Sequence, residues 1–217
     1  MKSKIVLFDE NMLVAYKEQG IDFAMFAEQA SAKAKEKFAV VATPVFELSN
    51  EISGLCVFAN NRTILDLTQQ IATGDLELTF YAVVVGSPKA DRGVYSACVS
   101  RDKQTGLINH IPALNYGAMN FSFEYQVLEK VDKISLVKIT GFVGDIEFLR
   151  FGLSDLGIPV FGDKDYKGDS LAKNTHLALT LAQMRFVLPN QDTTRSFVVV
   201  PEGKPWSFFE IEKWFKI

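Results

Sequence analysis

Apolar and polar positions alternate with a period of two over most of this chain, and the spacing lengthens to three or four in four stretches. KIVLF (4–8) and MLVAY (12–16) read as short strands around the turn DEN (9–11). Residues 22–38 place Phe23, Phe26, Ala27, Ala30 and Ala34 at helical spacing, with Asp22 near the start. Lys33, Lys35 and Lys37 fall on the polar side, as a solvated helix face rather than an RNA patch. AVVATPVFEL (39–48) is β-like but broken by Pro44, and GLCVFA (54–59) reads as a buried strand. A second helix is predicted over 62–73, stopped by Gly74. LELTFYAVVVG (76–86) is a long strand, VYSACVS a further β-type run, and FSFEYQVLEK with ISLVKIT an antiparallel hairpin. Helical spacing returns over 145–157, with Asp145 favouring the N-terminus and Gly157 stopping it. IPVFGD (158–163) reads as a turn and short strand, 175–189 as apolar and partly β-like, RSFVVVPEGKP as strand and turn. WSFFEIEKWF (206–215) reads as a helix with Trp206, Phe209 and Ile211 inward. The pattern predicts an α+β fold, a mixed, mostly antiparallel sheet with helices on its faces.

Composition narrows the function classes. Of 217 residues, 48% are apolar and 23% charged, enough to bury a substantial core in one large domain or two small ones. The 18 phenylalanines read mostly as core. A net charge of −3 argues against strong nucleic-acid binding, which draws on Lys and Arg. Cys56 and Cys98 sit in apolar runs and read as buried free thiols, with a disulfide or redox pair as the alternative. With His110 and His176 they form no metal-binding spacing, so no metal and no cofactor is expected. The opening residues lack the form of a signal peptide, and no run of about 18 apolar residues occurs. A cytoplasmic protein without membrane contact is the expectation.

Four blocks, in order and each without a gap, carry a resemblance. IVLFDENMLVAYKEQG (5–20) resembles the opening ILYEDDxLLVxxKPxG of the RluA-type pseudouridine synthases, with Lys17 and Gly20 in the family places. FELSNEISGLCVFANN (46–61) is similar to HRLDxxTSGLLLVAKN, matching at Leu48, Ser53, Gly54, Leu55, Ala59 and Asn61, with Val57 at an apolar place. LTFYAVVVG (78–86) is similar to KxYxAxVxG. LVKITGFVGDIEFLRFGLSDLGIPVFGD (136–163) resembles LVxVxLxTGRTHQIRxHLAxLGxPxxGD and keeps Gly144, Arg150, Leu153, Gly157, Pro159, Gly162 and Asp163. The resemblance covers nearly the whole chain. It implies the pseudouridine-synthase fold with a central cleft, as one catalytic-type domain over 1–217 without a separate N-terminal RNA-binding domain.

The departures fall on the residues that perform the family's chemistry. The catalytic aspartate position holds Ser49, and the active-site tyrosine position holds Phe80. The arginine that pairs with the family's acid falls on Asp145. Glu47, Ile146, Glu147 and Phe148 replace further polar or basic family residues, while Arg150 persists. Uridine isomerisation needs an ionised acid near the glycosidic carbon, and a serine supplies no such charge. A Ser–His pair with His110 or His176 has no sequence support. The resemblance therefore implies a catalytically silent homologue kept for binding structured RNA (rRNA or tRNA) or a protein partner. The candidates are Glu47, Ser49, Phe80, Asp145, Glu147 and Arg150. Two alternatives stay open: an active, divergent synthase using a relocated acid such as Asp145, and a small-molecule or protein site in the former RNA cleft. The bland readings are that Asp145 caps a helix, Phe80 is core and Arg150 makes a structural ion pair.

Overall fold

A computed structural model describes residues 4–113, 115–167, 176–188 and 193–215. The chain runs β1 (Lys4–Phe8), β2 (Met12–Lys17), α1 (Phe23–Phe38), β3 (Thr43–Pro44), β4 (Ser53–Ala59), α2 (Asn61–Thr73) and β5 (Glu77–Val85). It continues with β6 (Arg92–Arg101), β7 (Ile108–His110), β8 (Met119–Val131), β9 (Ile134–Val143), α3 (Phe148–Asp155), β10 (Leu179–Val187) and β11 (Thr194–Val198). This is the expected α+β class. The chain divides into two compact units: 1–79, 180–201 and 215–217 form the first, 80–179 and 202–214 the second.

In the first unit the strand order is β1-β2-β4-β10, with β3 on β4 and β11 on β10. Its pairings are antiparallel except β4 with β10. The parallel pair explains Gly54. A Cβ there would lie 2.7 Å from the backbone and Cβ of Leu181, at a φ of +147° that side chains resist. α1 begins where Asp22 accepts a hydrogen bond from Met25 N at 2.9 Å and ends on Ala39 at positive φ. It buries Phe23, Phe26, Ala30 and Ala34, leaving Lys33, Lys35 and Lys37 exposed as expected. α2 is capped by Asn60, which accepts from the backbone of Arg62 and Thr63, and stops at Gly74 (φ +81°).

The second unit holds an antiparallel sheet in the order β5-β9-β8-β6-β7. α3 lies on one face of it. A Cβ on Gly152 would come within 2.6 to 3.0 Å of the rings of Phe123, Phe121 and Tyr95, so only glycine lets the helix sit this close. Phe121 meets Phe123, Phe142 and Phe148 in ring contacts of 5.5 to 6.0 Å, which accounts for part of the phenylalanine content.

Several expectations are corrected. The segment 206–215 forms two 3-10 turns, Trp206–Phe208 and Ile211–Trp214, not one helix. Phe209 is extended (φ −113°, ψ 156°), which breaks the continuity, while Trp206 and Phe209 are buried as foreseen. α3 starts at Phe148, three residues later than predicted, and the 39–48 run contributes only Thr43 and Pro44 to a strand. In 158–163 only Val160 bridges to a strand, at Val84. β7 went unforeseen. Both cysteines are free, but Cys98 is partly exposed. Residues 175 and 189, the ends of the apolar run, lie outside the described residues. Among the described residues no helix is long and apolar enough to cross a membrane.

Gly54→Ala is expected to lower unfolding free energy by about 2–3 kcal/mol, the usual cost of forcing atoms into a filled contact. Urea denaturation measures it, and a loss under about 0.5 kcal/mol would show that the β4–β10 approach is not tight.

Candidate functional site

The segment that carries Ser49 is braced from below. β2 ends at Lys17, opposite Gly54 on β4. Lys17 is fully buried, and its ammonium donates to the carbonyls of Glu18 (3.4 Å), Ile21 (3.4 Å) and Asn50 (3.3 Å). Burial pulls the Lys17 ammonium below its ordinary 10.5, against the opposing influence of Cys56 and Asp22. The neighbouring Cys56 thiol is pushed up to about 12 by its own burial. Asn50 ties the same corner together. Its Oδ1 accepts from Phe23 N at 3.0 Å, its Nδ2 donates to Asp22 at 3.3 Å, and its carbonyl accepts from Gly20 N at 2.8 Å. Gln19 donates to the Glu51 carbonyl at 2.7 Å.

Ser49 opens a turn in which its carbonyl accepts from Ile52 N at 3.2 Å, between the fully buried Leu48 and Ile52. The Ser49 hydroxyl is enclosed and has no hydrogen-bond partner among the described residues. An orphaned buried hydroxyl costs on the order of 1–3 kcal/mol. Glu47 is exposed.

The other candidates lie in the second unit. Phe80 is fully buried, opposite Ile139 on β9, with its ring 6.1 Å from that of Phe142. Tyr81 points to the other face of the strand and donates to the Trp214 carbonyl at 3.4 Å. Burial raises the Tyr81 phenol to about 12.

Asp145 follows Gly144 and caps a turn rather than α3 itself, accepting from Glu147 N at 3.0 Å. Arg101 of β6 is hydrogen-bonded to Glu147 and stands 3.9 Å from Asp145. All three side chains are substantially exposed.

Arg150 is engaged structurally. Its guanidinium grips Asp163 in a two-point contact, Nε at 2.8 Å and Nη2 at 2.7 Å, and reaches Asp165 at 2.7 Å. Asp163 is completely buried and also accepts from the backbone of Asp165 and Tyr166. Tyr166 extends the clamp, its hydroxyl accepting from Ile108 N at 2.9 Å. The structure therefore groups Asp145 with Glu147 and binds Arg150 to a different set of acids. His110 is also occupied: its Nε2 stands 3.1 Å from Asp155, which accepts from Tyr95 at 2.9 Å. Among the described residues no three potential metal ligands converge.

Lys17 and Asn50 were the residues whose importance the sequence hid. One signal was available: Lys17 continues the buried alternation of Leu13 and Ala15, where a charge must be satisfied by the backbone.

No family model matches the chain. A pseudouridine synthase of Pasteurella multocida, dual-specificity RluA, is 26% identical over 211 residues, 91% of this chain and 92% of that protein. Two uncharacterised RNA pseudouridine synthases match over shorter spans. One, of Chlorobaculum parvum, is 31% identical over 118 residues, 54% of this chain and 36% of the relative. The other, YhcT of Bacillus subtilis, is 28% identical over 151 residues, 68% and 49% respectively. The chain thus spans about a third to a half of these two relatives. Among solved structures, human RNA pseudouridylate synthase domain containing 4 superposes with a TM-score of 0.76 at 18% identity, over 94% of this chain and 90% of that one. Domain containing 1 gives 0.70 at 17% identity, over 93% and 84%. The chain is thus similar in sequence to RNA pseudouridine synthases, RluA among them, and shares the fold of the pseudouridylate synthase domain structures. Lys17, Gly20 and Gly54, which match the motifs quoted above, build the corner beneath Ser49.

Two outcomes are expected. Arg150→Leu leaves buried Asp163 without its cation and should cost about 3 kcal/mol in urea unfolding; a near-neutral result would mean Asp163 is satisfied by backbone alone. Lys17 binds its proton less readily folded than unfolded. Its contribution to stability should therefore grow as pH rises from its lowered pKa toward the ordinary 10.5. The stability of the native chain minus that of Lys17→Met should increase over that window, and a flat difference would contradict the burial of a charged ammonium.

Proposed function

We propose that this chain is a pseudouridine-synthase scaffold that no longer isomerises uridine and is retained for binding, either RNA held weakly or a protein partner. The observation that carries this reading is Ser49. The position that aligns with the family's acid carries a neutral hydroxyl with no partner among the described residues, and a serine cannot supply the ionised oxygen the reaction needs. Two further positions support it. Phe80 has lost the hydroxyl and is packed into the core, and Asp145 brings a negative charge where the family has a positive one. Weak RNA affinity follows from the same positions. Glu47, Asp145 and Glu147 contribute no cation toward a phosphate, and Arg150 is engaged by Asp163 and Asp165.

One observation favours a second reading. Asp145 and Glu147 gather around Arg101, an acid–arginine grouping that could serve as a relocated catalytic pair. Moving a reacting carboxylate by a few ångströms ordinarily forfeits most of the rate, because positioning carries much of catalysis. The third reading, a small molecule or protein in the former RNA site, draws on the same acidic and apolar replacements.

Tritium release from RNA labelled at uridine C5 should remain at background with the purified chain, for both ribosomal and transfer RNA. Stoichiometric pseudouridine formation would overturn the silent reading. If activity appears and Asp145→Asn abolishes it, the relocated acid replaces that reading; equal activity in the variant eliminates Asp145 as the acid.

A further inference from the structure

The second unit has one sheet face that its described residues cover only in part. α3 packs on the face bearing Tyr95, Phe121 and Phe123. On the opposite face the C-terminal turns lie over Tyr81 and Glu129: Tyr81 donates to the Trp214 carbonyl, and the Trp214 indole donates to Glu129 at 3.3 Å. Beyond them the described residues leave a groove of about 450 Å³ lined by Arg92, Val94, Glu124, Gln126, Lys138 and Thr140. That volume falls in the range of small-molecule sites.

The register places these side chains in two rows. Arg92 pairs with Gln126 and Gln126 with Lys138, so two cations flank an amide on one rung across β6, β8 and β9. Val94 pairs with Glu124 and Glu124 with Thr140 on the rung two residues along, about 7 Å away. Directly opposed residues share a face, so the rows are neighbours. Arg92 and Lys138 make no ion pair or side-chain hydrogen bond among the described residues, although the chain is acidic overall. Nearby cations behave differently: Lys130 is paired with Asp91 at 2.5 Å and Lys213 with Glu210 at 3.0 Å.

We propose that this groove binds a sugar phosphomonoester. Arg92 and Lys138 present donors and positive charge, and the Gln126 amide NH2 a further donor, suited to a doubly anionic phosphate. The next rung offers the complement of a sugar: the Glu124 carboxylate accepts from hydroxyls, Thr140 donates or accepts, and Val94, 71% exposed, underlies the carbon skeleton. The same Glu124 argues against a nucleic-acid strand, whose successive phosphates would bring a second negative charge toward the carboxylate. This site is built from residues of the second unit alone and does not depend on the reading given to Ser49.

The test titrates ribose 5-phosphate, ribose, inorganic phosphate and a single-stranded oligouridylate into the isotope-labelled full chain, following the Arg92 Nε–H, the Gln126 side-chain amide and the Thr140 amide by NMR. Saturable shifts with ribose 5-phosphate are expected at millimolar concentration, with ribose alone inert. Arg92→Gln and Lys138→Gln should each weaken binding about tenfold, the usual loss of one charge-assisted contact. Glu124→Gln should weaken ribose 5-phosphate but not inorganic phosphate. These are surface substitutions, and unchanged thermal midpoints would verify that each variant is folded. The proposal is overturned by absence of saturation, by shifts that persist in both cation variants, by phosphate binding as well as its sugar ester, or by preferential salt-sensitive capture of the oligonucleotide.

Discussion

A buried ammonium holds the first unit's candidate corner in place. Lys17 lies at the end of β2 with no route to water, and its proton-bearing nitrogen is satisfied by carbonyls from the turn after β2 and from the turn that begins at Ser49. Removing a charge from water is costly, so the carbonyls must converge for the fold to persist. Once they do, the two turns are fixed to each other, Asn50 is set to bind the first amide of α1, and Gly54 is set against Leu181. The geometry around Ser49 follows from this network rather than from anything Ser49 itself contributes.

That separation between frame and apex explains how much could be read without coordinates. Elements whose burial repeats locally were legible. α1 announced itself through Phe23, Phe26, Ala30 and Ala34 behind Asp22, and α2 through Gly74. The β8–β9 hairpin followed from clean alternation. The C-terminal turns misled because Trp206 and Phe209, three apart, satisfy a helix and a 3-10 turn equally, and only the extended backbone at Phe209 separates the two. Asp145 was foreseen as a cap, but the bond it makes closes a turn two residues on, before α3 begins.

Long-range polar partners were the illegible part. Nothing in a one-dimensional pattern joins Tyr95, His110 and Asp155, or ties Ile108 to Tyr166, because those residues meet through β6, β7 and α3 rather than through any period. The ion pair expected of Arg150 was foreseeable in kind, but its partners were not, although Asp163 and Asp165 stand in the same quoted block and the next two residues. The candidate site was legible in the opposite sense. Its gapless blocks gave each replacement an expected position, and the proposal built on the serine rests on that alignment.

The hydroxyl of Tyr166 accepts from the amide of Ile108, and the Tyr166 carbonyl accepts from Ser154 of α3, while Arg150 lies 5.4 Å over its ring. Tyr166, through its ring, hydroxyl and backbone carbonyl, is thus a three-way rivet among an edge strand of three residues, a helix and an acid-rich loop. β7 is too short to secure itself by ladder bonds alone, so loosening that rivet would let the strand peel from the sheet margin and carry the 102–107 reverse turn with it. In this architecture the permanence of a border depends on a residue that belongs to none of the strands it seals.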